Sequence, residues 1–148
     1  TTNTNEPKSP IHRAAKLKMS TNEVLSTAVR SVEYAASLFD DVEFSAEDAF
    51  RTEPEFLADV LEAAADAGAR TLNVPDTVGY ATPQEVRDRF AVLAARIKQR
   101  HPHVIFSTHC HDDLGMAVAN SLAAGEVILA RDARPDRFGR ESTDTFSS

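Results

Sequence analysis

Residues 68–86 read GARTLNVPDTVGYATPQEV, and the fold class turns on how the pattern changes within them. Gly68 closes a run of helical periodicity, and Thr71 to Val74 has the length and composition of a strand. Thr82, Pro83 and Glu85 then occupy the N-cap, N1 and N3 positions of a new helix. Helix end, strand, turn and helix start in this order make one repeat of a parallel α/β sheet.

The same unit recurs on both sides. Upstream, Ser20 and Glu23 have capping-box spacing ahead of Val24, Leu25, Ala28, Val29, Val32, Ala35, Ala36 and Phe39 on one helical stripe, which Asp40 and Asp41 stop. Val42, Phe44 and Ala46 then alternate with Glu43, Ser45 and Glu47, as in a short strand. Thr52 and Glu55 repeat the capping spacing around Pro54, and Phe56, Leu57, Val60, Leu61, Ala64 and Ala65 supply the next stripe. Downstream, Val86, Phe90, Leu93, Ala94 and Ile97 lead to a strand over Val104 to Thr108, and a further helix is expected from about Leu114 to Ala124.

Three strands are therefore expected, near 42–46, 71–75 and 104–109. Their spacing of about 30 residues is that of βα units joined by right-handed parallel crossovers. An open doubly wound sheet and part of a (β/α)8 barrel both satisfy this pattern. Glu43, Ser45 and Asn73 are too polar for a sheet face between two apolar helix layers, which favours the barrel. Residues 1–10 read as a tail, 11–124 as the partial barrel, and 125–148 as a divergent carboxy-terminal tail.

The chain has 148 residues, 42% hydrophobic and 26% charged, with a formal net charge of -7. That balance fits one soluble domain and argues against nucleic acid as a partner, since phosphate contacts need clustered positive charge. No apolar run approaches a membrane span and the opening residues lack the apolar core of a secretory leader. The single cysteine, Cys110, excludes an internal disulfide and suits a reducing, cytoplasmic setting.

Functional groups of parallel α/β folds collect at the carboxyl ends of the strands. Those ends carry Ser45 and Glu47, then Pro75 and Thr77, then His109 and His111, so these side chains are expected to face one cavity. In His109-Cys110-His111 the alternation of an extended chain points both imidazoles the same way, where they can converge on one metal ion. Cys110 points away and is read as packing. Asp112 and Asp113 suit either hydrogen bonding to the imidazoles or capping of the next helix. Glu47 and Asp76 are local candidates for completing the metal site; Asp76, which points away from the cavity if Thr77 points in, also reads as turn chemistry, and Glu47 as the better acid or base. His101 and His103, around Pro102, read as loop residues.

Four stretches carry a resemblance: SPIHRAAKL (9–17), DDVEFSAEDAFRT (40–52), AGARTLNVPDTVGYATP (67–83) and STHCHDDLGMAVANSLAA (107–124). In this order they resemble the catalytic barrel of the 2-isopropylmalate synthase family, within the wider group that includes homocitrate and citramalate synthases and hydroxymethylglutaryl-CoA lyase. The resemblance implies a (β/α)8 barrel of which this chain holds the fifth to seventh strands. It further implies condensation of acetyl-CoA with 2-oxoisovalerate, then thioester hydrolysis, in leucine biosynthesis. By it, His109 and His111 are ligands of a divalent metal (Mn, Mg or Zn) that grips the 2-oxo acid. Glu47 is catalytic, and Ser45, Pro75 and Thr77 contact the oxo acid, with the Thr77 hydroxyl on its carboxylate.

The departures from that family are equally specific. Its third metal ligand, an Asp in a D-x-T-x-R-D-G stretch, has no counterpart here, nor has the neighbouring Arg. Its fourth ligand, an Asn in G-N-G-x-G-E-R-x-G-N, is replaced after Ala124 by GEVILARDARPDRFGRESTDTFSS, and TTNTNEP stands where a fourth strand is expected. A barrel with three strands cannot close. The expectation is a truncated barrel, inactive alone. The alternatives are a non-catalytic partial barrel that docks on an intact synthase or self-associates, and a fragment of a related homocitrate or citramalate synthase.

Overall fold

The computed structural model describes residues 2–7 and 20–132. Two of the expected capping boxes initiate helices. Ser20 Oγ accepts the Glu23 amide and opens α1 (Thr21–Leu38), and Thr82 Oγ1 accepts the Glu85 amide and opens α3 (Pro83–Arg100). In each, the glutamate reaches back to the cap amide, so two otherwise unpaired donors are satisfied together. Between them lie β2 (Val42–Glu47), a 3-10 turn (Ala49–Arg51), α2 (Pro54–Asp66) and β3 (Thr71–Asn73), followed by β4 (Ile105–Ser107) and α4 (Ala117–Asp132).

The backbone of Thr2–Pro7 forms a further strand, β1, paired in parallel along the whole of β2. The sheet is therefore four-stranded, in the order β1-β2-β3-β4, with all pairs parallel. The three strands read from the sequence are present, and the tail read over the opening residues begins with a fourth. Thr-Asn-Thr-Asn-Glu-Pro lacks the apolar alternation that marks a strand, whereas a parallel ladder is held by backbone groups that every residue but proline can supply. Residues 8–19, with the SPIHRAAKL stretch, lie outside the described residues, as do 133–148.

Two further expectations are corrected. The Thr52–Glu55 capping box does not form: Glu53 is the N-cap of α2, without a side-chain cap, and Thr52 Oγ1 instead donates to the Asp48 carbonyl at 3.0 Å. The last helix starts at Ala117 and continues to Asp132, beyond the limit expected at 124. Its first turn is capped by Asp112, whose Oδ1 accepts the Ala117 amide at 2.9 Å, and Gly115, at φ +70, turns the chain just before it.

The two faces of the sheet differ as a half-open barrel requires. Val42, Phe44, Ala46, Leu72, Val74 and Phe106 are buried against the helices, among Leu57, Leu61, Phe90, Leu93 and Ile97. Phe90 and Phe106 meet edge to face at 6.2 Å, a favoured aromatic geometry. The helices follow one another around this layer, α1 on α2, α2 on α3 and α3 on α4. Arg96 and Arg100 of α3 join Asp59, Glu62 and Asp66 of α2 along the outer seam. The other face presents Glu43, Ser45, Glu47, Asn73 and Ser107. No helix covers it among the described residues, and Ile105 there is 55% exposed. Parallel sheets are normally covered on both faces; here the second cover is a barrel interior, which part of a barrel leaves open. This is a partial (β/α)8 barrel.

Candidate functional site

Register fixes the floor of the site. Ser45, Asn73 and Ser107 are direct partners across β2, β3 and β4. The Ser107 hydroxyl donates to Asn73 Oδ1 at 3.2 Å and Asn73 Nδ2 donates to Ser45 Oγ at 3.0 Å. This crosslink ties the strands together immediately below their carboxyl ends. Asn73 also lines the site, a role the sequence reading did not assign. Its place two residues before Pro75, on the same strand face, was the available signal.

Above this floor Ser45, Glu47, Asn73, Pro75, Thr77, His109 and His111 line one cavity of about 230 Å³. All six residues selected from the sequence meet there. Glu47 is half-buried and both histidines are exposed. A larger cavity of about 660 Å³ opens at the opposite ends of the strands, beside Arg70, His101 and His103. It contains none of the selected residues and lies at the end of a barrel associated with stability, so the smaller cavity is the better candidate for chemistry.

The histidines owe their placement to Asp76. Its amide donates to the His109 carbonyl at 2.8 Å, and its carbonyl accepts the His111 amide at 3.2 Å, forming an isolated parallel bridge opposite Cys110. Because the bridge centres on Cys110, the residues flanking it project to the same side. The Asp76 side chain is fully buried, with Oδ1 accepting the Gly79 amide and Oδ2 the Ala81 amide, each at 3.0 Å. Asp76 is thus turn chemistry that also aligns the His-Cys-His segment. Cys110 is a half-buried free thiol, 3.5 Å from Thr108 Oγ1, and does not line the cavity.

The ring centroids of His109 and His111 are 5.0 Å apart, with planes at 69°. Two imidazole nitrogens bound to one cation at about 2.1 Å place their ring centroids roughly 4.5–5.5 Å apart, so this pair fits two positions of one coordination sphere. Among the described residues no third histidine, cysteine or carboxylate completes a metal-sized group.

Thr77 is held from β2. The Asp48 amide donates to Thr77 Oγ1 at 3.0 Å. Asp48 itself is buried at φ 63, ψ 36, and Arg51 Nε and Nη2 grip its carboxylate at 2.6 and 2.8 Å. That hydrogen-bonded carboxylate raises the Arg51 pKa above its ordinary value. Arg89 braces the same turn, donating to the Thr52 and Ala49 carbonyls and lying over the Phe50 ring. Burial is the main cause that lowers its pKa.

An incomplete parallel sheet wrapped by helices, with its polar groups gathered at the carboxyl ends of adjacent strands, defines the class: part of a (β/α)8 barrel with a site of barrel type. Residues 2–127 match the HMGL-like family, and the chain belongs to that family. It is 62% identical over 116 residues to the 2-isopropylmalate synthase of Rhodopirellula baltica (strain DSM 10527 / NCIMB 13988 / SH1), covering 78% of this chain and 22% of that one. It is 55% identical over 118 residues to the 2-isopropylmalate synthase of Xylella fastidiosa (strain M23), covering 80% and 22%. The chain thus spans about a fifth of the length of these relatives. The fold also resembles hydroxymethylglutaryl-CoA lyases of Bacillus subtilis (TM-score 0.69, 23% identity, 84% of this chain and 43% of that one) and Pseudomonas aeruginosa (TM-score 0.66, 21% identity, 85% and 43%). No helix among the described residues is long and apolar enough to cross a membrane.

Proposed function

We propose that this chain is the part of a 2-isopropylmalate synthase barrel that binds a divalent cation and a branched 2-oxo acid for condensation with acetyl-CoA. The observation that carries this reading is the convergence of His109, His111, Thr77 and Glu47, from three adjacent strands, on one cavity. His109 and His111 would hold the cation, which when bound supplies Lewis-acid polarisation of the oxo acid's carbonyl. Zn, Mn and Mg can all fill this role, with the imidazole donors favouring Zn and the oxygen donors of the oxo acid suiting Mn and Mg.

The Thr77 hydroxyl donates to the oxo acid's carboxylate, while Ser45 and Pro75 pack beside its branched tail. In the condensation a proton leaves the acetyl methyl group, the new carbon–carbon bond forms at the keto carbon, and the resulting alkoxide takes up a proton. Water then cleaves the thioester, yielding 2-isopropylmalate and CoA. Glu47 is the acid/base group for these proton movements, standing in the cavity beside the histidines. The free thiol of Cys110 is in keeping with a reducing, cytoplasmic setting.

The 148-residue polypeptide is expected to bind without turnover, because its described residues supply two metal ligands and an open half of a barrel interior. Calorimetry with Mn²⁺ and 2-oxoisovalerate tests this, with a dicarboxylic 2-oxo acid and pyruvate as competitors to separate the homocitrate and citramalate alternatives. Preferential binding of 2-oxoisovalerate supports the reading. CoA release at the rate of a full-length synthase contradicts the absence of turnover. A second reading, a non-catalytic half-barrel that docks on an intact synthase or on its own copy, is favoured by the sheet face around Ile105, which no helix covers among the described residues. Co-purification with such a synthase supports it, and a stable, folded monomer counts against it.

A further inference from the structure

We infer that Asp48 and Arg51 are positioning residues, whose ion pair fixes a left-handed turn that locks Thr77 with its hydroxyl proton directed to the cavity. The inference rests on the reading of Thr77 above and deepens it.

Asp48 is the one non-glycine among the described residues with positive φ. That region is uncommon for a side chain, and aspartate and asparagine enter it more readily than most because their short polar groups bond locally; such residues gather where geometry serves a site. Here the surroundings are explicit. The Arg51 fork grips both carboxylate oxygens, a planar bidentate match that leaves little rotational freedom. The Asp48 carbonyl accepts the Arg51 amide at 3.2 Å and the Thr52 hydroxyl at 3.0 Å. Arg89 then ties the end of the turn to α3 through the Thr52 carbonyl at 3.2 Å.

The Asp48 amide crosses from this turn to Thr77 on the next strand unit, 29 positions away. A threonine oxygen that accepts an amide hydrogen cannot send its own proton along the same line. Among the described residues the hydrogen bond made by Thr77 Oγ1 is the one it accepts from Asp48, and Thr77 lines the cavity of Glu47, His109 and His111. The turn therefore turns an ambivalent hydroxyl into a donor aimed at an anionic acceptor in the cavity. Asp48 and Arg51 do not line that cavity; they act through Thr77.

The test uses the 148-residue chain. Three-bond couplings from Thr77 Cγ2 to its backbone nitrogen and carbonyl carbon report the side-chain rotamer directly. A single rotamer is expected in the wild type and rotamer averaging in Arg51→Gln. Asp48→Asn, which tolerates positive φ but cannot form the charged fork, should fall between the two. In parallel, 2-oxoisovalerate affinity measured with Mn²⁺ present should weaken roughly 10- to 150-fold in Thr77→Val, the loss of one hydrogen bond to a charged group. Arg51→Gln should weaken it to a similar extent, and the double variant should weaken it no further, while affinity for Mn²⁺ alone stays unchanged. Averaging of Thr77 in the wild type, or a rotamer that stays single in Arg51→Gln, overturns the inference, as do additive losses in the double variant. If the couplings behave as expected but the oxo acid does not bind the wild type, the positioning stands and the assignment of Thr77 to the oxo acid falls.

Discussion

Replacing Asp76 with alanine should damage fold and site together, and its magnitude follows from two hydrogen bonds. The carboxylate is fully buried and accepts the Gly79 and Ala81 amides at 3.0 Å each, and both of those residues are buried. Alanine leaves both donors without an acceptor. Stranding one buried donor costs about 1–3 kcal/mol, so the expected loss is about 2–6 kcal/mol. A domain's whole stability is typically about 5–15 kcal/mol, which makes this a large fraction. Asp76→Asn keeps one carbonyl acceptor but turns an NH2 donor toward the other amide, so it should lose at least half as much. Urea unfolding of the three proteins measures the differences, and hydrogen exchange of the Gly79, Ala81 and His111 amides locates them. An Asp76→Ala protein within about 0.5 kcal/mol of wild type, or unchanged exchange at Gly79 and Ala81, would refute the assignment of Asp76 as the clamp of this turn.

Gly79→Ala should be destabilising by about 1–2 kcal/mol from its left-handed backbone alone. A Cβ at that position would also collide with the Asp113 carboxylate and the His111 Cβ, so the His111 ring resonances should shift more than those of His101. Asn73→Ala removes both crosslinks of the cavity floor and should cost about 1–3 kcal/mol, read by thermal melting with a proportional loss of oxo-acid affinity. Glu62 has its pKa lowered by hydrogen bonds from Arg96 and then Arg100. A carboxyl with its folded pKa below the unfolded one stabilises fully above the unfolded pKa and progressively less as pH falls through the folded one. Glu62→Gln should therefore cost under about 1 kcal/mol at neutral pH, as surface ion pairs do, and the difference should vanish in acid. A penalty that grows on acidification would contradict this.

The parallel fold was legible because its signals are local. Two capping boxes, the stripes Val24–Ala35 and Val86–Ile97, and the alternation around Phe44 each follow from spacing along one segment, and each reappears in the structure. β1 was not legible, since its pairing with β2 is a backbone interaction that the polar Thr2–Pro7 segment does not advertise. Thr52 misled for a related reason. Its capping spacing with Glu55 is genuine, but the left-handed turn at Asp48 puts a carbonyl within its reach first. At the site, strand periodicity brought out the six residues that meet in the cavity. It could not bring out the Asp48–Thr77 contact or the crosslink through Asn73, because those join segments about 30 positions apart and depend on the register of the assembled sheet; the Asp48–Arg51 pair is local, but its role appears only once Asp48 is seen to hold Thr77.

The most direct test of the cavity as a metal and oxo-acid site is a Co²⁺ or Zn²⁺ titration of the ¹⁵N-labelled chain, following the ring nitrogens of all five histidines. Weak one-to-one binding that moves His109 and His111 together, leaves His12, His101 and His103 in place and tightens when 2-oxoisovalerate is added is the expected result. Binding centred on His101 and His103, or none at His109 and His111, would contradict it.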